Sequence, residues 1–433
     1  MFRPAEEIHI RDPIHGAIRL TPRELEVVES PVFQRLRGIR QLGFTEHAFP
    51  GATHSRFAHG LGAMEMATRM FEAIFPPGGS PLPAEERERL RQLVRLTVLL
   101  HDVGHAPLSH ATEVCMPRRA ALALPGDLES ARDEQATHED YTLKLLLESE
   151  LTDRLRRVFG PQGIDPLDIC YLLSHRYPER AATLAVEGLD YGPLLSQLVS
   201  GELDADRLDY LQRDSYYTGV SYGKVDEQWL LSNLGYQVVE GQVFLAMSHR
   251  GIFAFEDFLL SRYHMFVSVY YHHSSVGFDN MLMRYLEDAE GELAIPTDVE
   301  AYLAFDDVAF WSVLRRSKNV WAERMVRRQL YRRILELNAE TGYDLTALLD
   351  ALTAAGVDHF VARDEGVLSR YYGNGRAALP IFVINRPLGW ATPVEAYSKL
   401  YERYAQPARL TRVYSRPDQV PQAQECLRRV VAG

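Results

Sequence analysis

The chain has 433 residues, 46% of them hydrophobic, and a net charge of −12; that length supports one large domain or two. So acidic a chain is a poor general binder of nucleic acid, which is held through basic patches, and no run approaches the roughly 20 apolar residues that cross a bilayer. Three scattered cysteines without CxxC spacing argue against a disulfide framework or a thiolate zinc site, and with a start that lacks an apolar signal core they point to a reducing cytoplasm.

Most of the chain reads as helix. Thr21-Pro22-Arg23-Glu24 has the form of an N-cap with proline at the first helical position. Leu61, Met64, Ala67 and Phe71 repeat at helical spacing over Phe57 to Phe71, and the run Pro76 to Pro81 breaks the pattern. Leu90 to Val103 is the next expected helix, stopped by Gly104 and Pro107. Pro117 to Glu134 reads as a mobile loop, followed by a capping-box-like start at Thr137 and a helix over Tyr141 to Leu147. A hairpin is expected over Gln237 to Leu245, aromatic helices over Gly251 to Glu287, and strands at Ile381 to Ile384 and Leu410 to Tyr414. The expectation is a mainly α fold: a helical core over residues 1–290 and a smaller mixed α/β appendage over 291–433 that serves oligomerisation or regulation.

The chemistry concentrates in four segments: His54 to Gly60, His101 to His110, Thr137 to Glu139 and Asp204 to Asp214. The apolar run Leu93 to Leu100 leads straight into His101-Asp102, and burying that pair is costly unless something satisfies it. A divalent cation does so, because neutral imidazole and carboxylate are good ligands for Mn, Fe, Ni, Zn or Mg-like ions. His59, His101, Asp102 and Asp206 would form a two-histidine, two-carboxylate site with positions left open for water and substrate oxygens. Taken singly, each histidine reads more simply as a core or capping residue.

The ordered segments together resemble the H…HD…D pattern of the HD-domain phosphohydrolases. With Asp12 to Gly16, Phe33 to Arg37, Gln41 to Gly43 and Phe49 to His59, the chain is similar over residues 9 to 280 to the deoxynucleoside triphosphate triphosphohydrolase (dNTPase) branch, which takes in the vertebrate SAM-and-HD-domain enzymes and their bacterial relatives. The resemblance implies one divalent metal on His59, His101, Asp102 and Asp206, with additional Mg carried by the triphosphate. It also implies hydrolysis of a dNTP to deoxynucleoside and inorganic triphosphate, by attack at the α-phosphorus with the 5′-oxygen leaving. His110 then matches the general acid and Glu113 its partner, with glutamate where the family has aspartate. His105 and His138 match two further active-site histidines, and His105 would share a face with His101 if the helix ran on through Gly104. Arg56, Arg207 and Arg262 match phosphate contacts, Arg207 standing where the vertebrate members carry lysine; Arg262 is expected to open a helix that carries Tyr270. Tyr210 and Tyr270 match residues that pack on the deoxyribose, and Gln41, Leu42 and Asp214 match sugar contacts. Glu29, Gln34 and Arg37 match an effector site for GTP or a dNTP, and relatives assemble as homo-tetramers or other homo-oligomers. The alternatives are an HD phosphohydrolase for another nucleotide phosphoester and a non-catalytic nucleotide sensor.

Overall fold

The computed structural model describes residues 8–125, 133–289, 291–338, 344–366, 379–404 and 408–432. The fold is mainly helical. The chain opens on two antiparallel strands, Ile8–Asp12 and Gly16–Leu20. The Pro22–Val28 helix starts as its sequence predicts: the Thr21 side chain accepts from the Glu24 N–H, and the Glu24 carboxylate accepts from the Thr21 N–H.

Two long helices, Arg56–Ile74 and Ala84–Leu100, pack against each other at the centre, with Met64, Met66, Ala67, Phe71, Leu93, Leu96 and Leu99 fully buried. Helices His138–Glu148, Pro166–Ser174, Gly192–Ser200 and Ala205–Thr218 complete the same core. The second central helix begins six residues before its apolar periodicity becomes visible and ends at Leu100, so His101 to Gly104 form turns. At the end of these turns only glycine fits. The Gly104 backbone lies against the His138–Glu148 helix, where a Cβ would come within 2.1 Å of the Thr142 nitrogen and 2.2 Å of the His138 carbonyl oxygen. The helix does not run on through Gly104, so His101 and His105 share no helical face; a turn brings His105 in.

Within Pro117 to Glu134, Arg119–Leu122 forms a 3-10 turn and Arg118 bridges to Gln135; residues 126–132 fall outside the described residues. The predicted hairpin forms from Leu234–Val239 and Gln242–Ser248, turning at Glu240 and Gly241, which both take positive φ (50° and 81°) as a tight two-residue turn requires. The aromatic region forms the Ile252–Met265 helix, a π-helical turn at Phe266–Tyr270 and the His273–Asp288 helix. Arg262 thus sits in the last turn of the first of these helices and opens none; Tyr270 ends the π turn.

The last third returns to the core. Phe382–Asn385 pairs in parallel with Gln242–Ser248, and Tyr302, Ile381, Val383, Val394 and Tyr401 are buried in the main cluster. By contrast, strands Arg332–Asn338, His359–Gly366 and Ala408–Ser415 form their own antiparallel sheet, with Ala408–Ser415 central. Leu348, Leu352 and Ala423 from helices Thr346–Ala354 and Val420–Ala432 bury a small separate core on it. Among the described residues no helix is long and apolar enough to cross a membrane.

Candidate active site

One cleft of about 700 Å³ gathers the chemistry. Its floor comes from three elements: the start of the Arg56–Ile74 helix, the turn after Leu100 and the Ala205–Thr218 helix. Asp206, Tyr210 and Asp214 lie four residues apart on that last helix and face the cleft together. Asp209 and Arg213 occupy its buried side.

His59, His101 and Asp102 each bring a ligand atom to within 4.8 Å of the others. Asp206 Oδ1 lies 3.0 Å from His59 Nε2 and 3.4 Å from His101 Nε2. The opposite ring nitrogens are already committed: His59 Nδ1 donates to Asp209 Oδ2 at 2.8 Å, and His101 Nδ1 donates to the Val98 carbonyl at 2.6 Å. Both rings therefore turn Nε2 towards the carboxylates, and both Nε2 atoms are buried without a protein hydrogen-bond partner of good geometry. Oriented imidazoles with unsatisfied nitrogens beside two carboxylates fit a divalent cation. Burial alone would depress the His59 ring, but Asp206 and Asp209 override it and raise it to about 10, so a cation binding at Nε2 would displace a proton there. Burial likewise favours a neutral Asp206, and His101 and His59 reverse that and hold it ionised.

Behind this set lies a buried network. Asp209 Oδ1 accepts from His15 Nε2 at 2.6 Å, and Arg213 donates to both Asp209 oxygens at 2.8 and 2.7 Å and to Asp12 Oδ2 at 2.8 Å. Gly62 makes room for it; a Cβ there would stand 2.0 Å from Asp209 Oδ1 and 2.1 Å from Arg213 Nη2. Sequence reasoning assigned no role to His15, Asp209 or Arg213. The signal was present, since Asp209 follows Asp206 by one helical turn and Arg213 follows Asp209 by another.

A second cluster adjoins the first. Glu113 Oε1 takes His138 Nδ1 and lies 3.3 Å from His110 Nδ1. His105 and His138 stack with ring centroids 3.9 Å apart and planes 12° from parallel, and His110 stands edge-on to both. All four residues lie close enough to share a cation. The stack opposes this, because lone pairs in two parallel ring planes cannot both point at one ion. The arrangement suits holding a proton instead. Burial, Arg56 and His138 keep the His105 ring well below its usual value and neutral, whereas the two neighbouring histidines overcome the burial of Glu113 and hold it ionised. His110 is the exposed member, its side chain 66% accessible.

Gln41, Leu42, Arg56, Arg207, Tyr210, Asp214, Arg262 and Tyr270 all line the same cleft. The arginines are held by acids: Arg56 by Asp102, with Nε on Ser109 Oγ at 2.7 Å, and Arg207 and Arg262 by Glu202, at 3.5 and 3.1 Å. Glu202, unforeseen from the sequence, thus sits between two buried cations. Tyr270 Oη donates to Asp214 Oδ2 at 2.7 Å, and His54 Nε2 meets Asp214 Oδ1 at 2.8 Å. Tyr210 meets Tyr270 edge to face at 6.1 Å. Glu29, Gln34 and Arg37 lie outside the cleft lining. Glu29 is exposed, Arg37 Nε donates to Gln34 Oε1 at 2.7 Å, and the Arg37 guanidinium covers the Phe57 ring at 3.5 Å.

Residues 225–371 match the family model described as the HD associated region. An uncharacterized protein of Methanocaldococcus jannaschii is 32% identical over 326 residues, covering 75% of this chain and 59% of its own. The deoxynucleoside triphosphate triphosphohydrolase SAMHD1 homolog of Dictyostelium discoideum is 28% identical over 316 residues, covering 71% of this chain and 54% of its own. The match therefore spans less than two thirds of either relative. The crystal structure of a hypothetical protein from Aquifex aeolicus superposes with a TM-score of 0.72 at 27% identity, over 97% of this chain and all of that one. With its fold shared across the whole Aquifex protein and its sequence similar to part of both relatives, the chain resembles the HD-domain, dNTPase-like family.

Proposed function

We propose that this protein hydrolyses deoxynucleoside triphosphates to deoxynucleoside and inorganic triphosphate. The observation that carries the reading is the meeting, at and just beneath one cleft, of a cation-ready His59/His101/Asp102/Asp206 set with a histidine–glutamate cluster and with Arg207, Arg262, Tyr210 and Tyr270. A divalent ion bound there would polarise a phosphate oxygen and activate water. Arg56, Arg207 and Arg262 would face the triphosphate, and their acidic partners keep them oriented before substrate arrives. His110, ionically supported by Glu113, would give its proton to the departing 5′-oxygen, and His138 shares that glutamate. Tyr210 and Tyr270 would crowd C2′ and disfavour a ribose, while Gln41, Leu42 and Asp214 meet the sugar. We extend the reading to a cytoplasmic homo-oligomer, a homo-tetramer in the first instance, with a GTP or dNTP effector read by Glu29, Gln34 and Arg37.

The test is product analysis. Purified protein is incubated with each dNTP and NTP plus Mn²⁺ or Mg²⁺, and products are separated by chromatography. Deoxynucleoside plus triphosphate is expected; monophosphate plus pyrophosphate, or no turnover, rejects the reading. Rates on dATP unchanged by GTP or dGTP, with constant particle size, would remove the effector.

A further inference from the structure

The turn after Leu100 carries His101, Asp102, His105 and His110, and its back is held by a distant stretch of chain, Tyr302 to Asp307. Tyr302 Oη donates to the Gly104 carbonyl at 2.6 Å. Arg35 bridges the two stretches, donating to the carbonyls of His105 at 2.8 Å, Tyr302 at 3.1 Å and Phe305 at 2.8 Å. Asp307 closes the contact: Oδ1 accepts from the Leu108 N–H at 2.7 Å and Oδ2 from the Arg40 N–H at 2.9 Å.

Those two amides matter for where they lie. Leu108 and Ser109 both take φ of 58°, a left-handed conformation that costs free energy in non-glycine residues and persists only when neighbours impose it. Ser109 Oγ donates to the Arg40 carbonyl at 2.5 Å and accepts from Arg56 Nε at 2.7 Å. Cleft-lining residues follow both stapled positions: Gln41 follows Arg40, and Ser109 and His110 follow Leu108. Asp307 is not needed to start its own helix, because Asp306 caps it by accepting from the Ala309 N–H at 3.0 Å. The residue is 8% exposed, and its side chain reaches across to the turn instead.

We propose that Asp307 is a positioning residue: by accepting both amides it holds the Leu108–Ser109 turn against Arg40 and so sets where His110 and Gln41 stand in the cleft. The consequence for turnover rests on the reading of His110 as proton donor; the staple itself does not.

The experiment compares the 433-residue wild type with Asp307→Ala and Asp307→Asn. Read-outs are amide hydrogen exchange at Arg40 and Leu108, bound-metal stoichiometry, thermal midpoint, and kcat and KM on dNTPs. Asp307→Ala is expected to speed exchange at both amides and lower kcat about 10- to 100-fold, with metal stoichiometry unchanged. Asp307→Asn, which keeps one acceptor oxygen, should fall between. Unchanged exchange at both amides overturns the staple, and accelerated exchange with wild-type kcat overturns the positioning role. If Asp307→Ala does not fold, Asp307→Asn decides on the same read-outs. A wild-type chain inactive on every dNTP would remove the functional reading, and exchange in the variants would still decide the staple.

Discussion

His59 is gripped from both sides by one helix: Asp209 Oδ2 accepts from its Nδ1 at 2.8 Å, while Asp206 Oδ1 stands 3.0 Å from its Nε2. The residue that would hold the metal and the residue that orients its partner ligand are a single turn apart. Asp209→Asn keeps the shape and removes the charge. It should weaken metal binding about 10- to 100-fold, measured by equilibrium dialysis against a competing chelator. Unaltered affinity would mean that the carboxylate serves only the buried Arg213 and His15.

Asp206→Ala removes one carboxylate from the cation set without touching the core, since its side chain is 30% accessible. Bound metal and turnover are expected to be lost while helical circular dichroism is retained. Normal turnover in this variant would show the ligand assignment to be wrong.

Tyr270 stands at the cleft with its hydroxyl on Asp214. If it crowds C2′, Tyr270→Ala should raise activity on NTPs relative to dNTPs by about tenfold or more. An unchanged ratio, with both activities reduced alike, would assign the ring to packing.

Glu24 is fully buried and accepts from Arg95 Nε at 2.6 Å, Arg95 Nη2 at 2.9 Å and Gln92 at 2.8 Å. Burial favours its neutral form, but the hydrogen bonds and charge of Arg95 win and lower it below 4.5. With the folded value below the unfolded one, its stabilisation is present above pH 4.5 and is lost as the pH falls through the folded value. Glu24→Gln leaves the guanidinium uncompensated and should cost about 3–5 kcal/mol at neutral pH, read from urea unfolding. The variant should also show a shallower loss of stability in acid; an identical acid profile would place the acid-sensitive group elsewhere.

Local signals were legible wherever a short stretch decides its own conformation. The N-cap at Thr21, the capping-box-like start at Thr137 and the hairpin over Gln237 to Leu245 were readable because the groups that satisfy the backbone lie within a few residues. Two local expectations failed for a tertiary reason. The helix expected to run to Val103 stops at Leu100, where a turn packs Gly104 against another helix, and Arg262 closes a helix where it was expected to open one, the segment beyond it winding into a π turn. His15, His54, Glu202 and Asp307 were illegible because their partners lie far away in sequence and no spacing rule joins them.

From the sequence alone came the helical class, the HD pair and the four residues proposed to bind a metal, since residue type and order along the chain carry that information. Only the tertiary structure could decide which histidine nitrogens stay unsatisfied, that parallel stacking of His105 and His138 sets the second cluster apart from the first, and that Asp307 reaches the turn before His110. Those facts depend on directions and on approaches of a few ångströms between distant segments, and packing determines both.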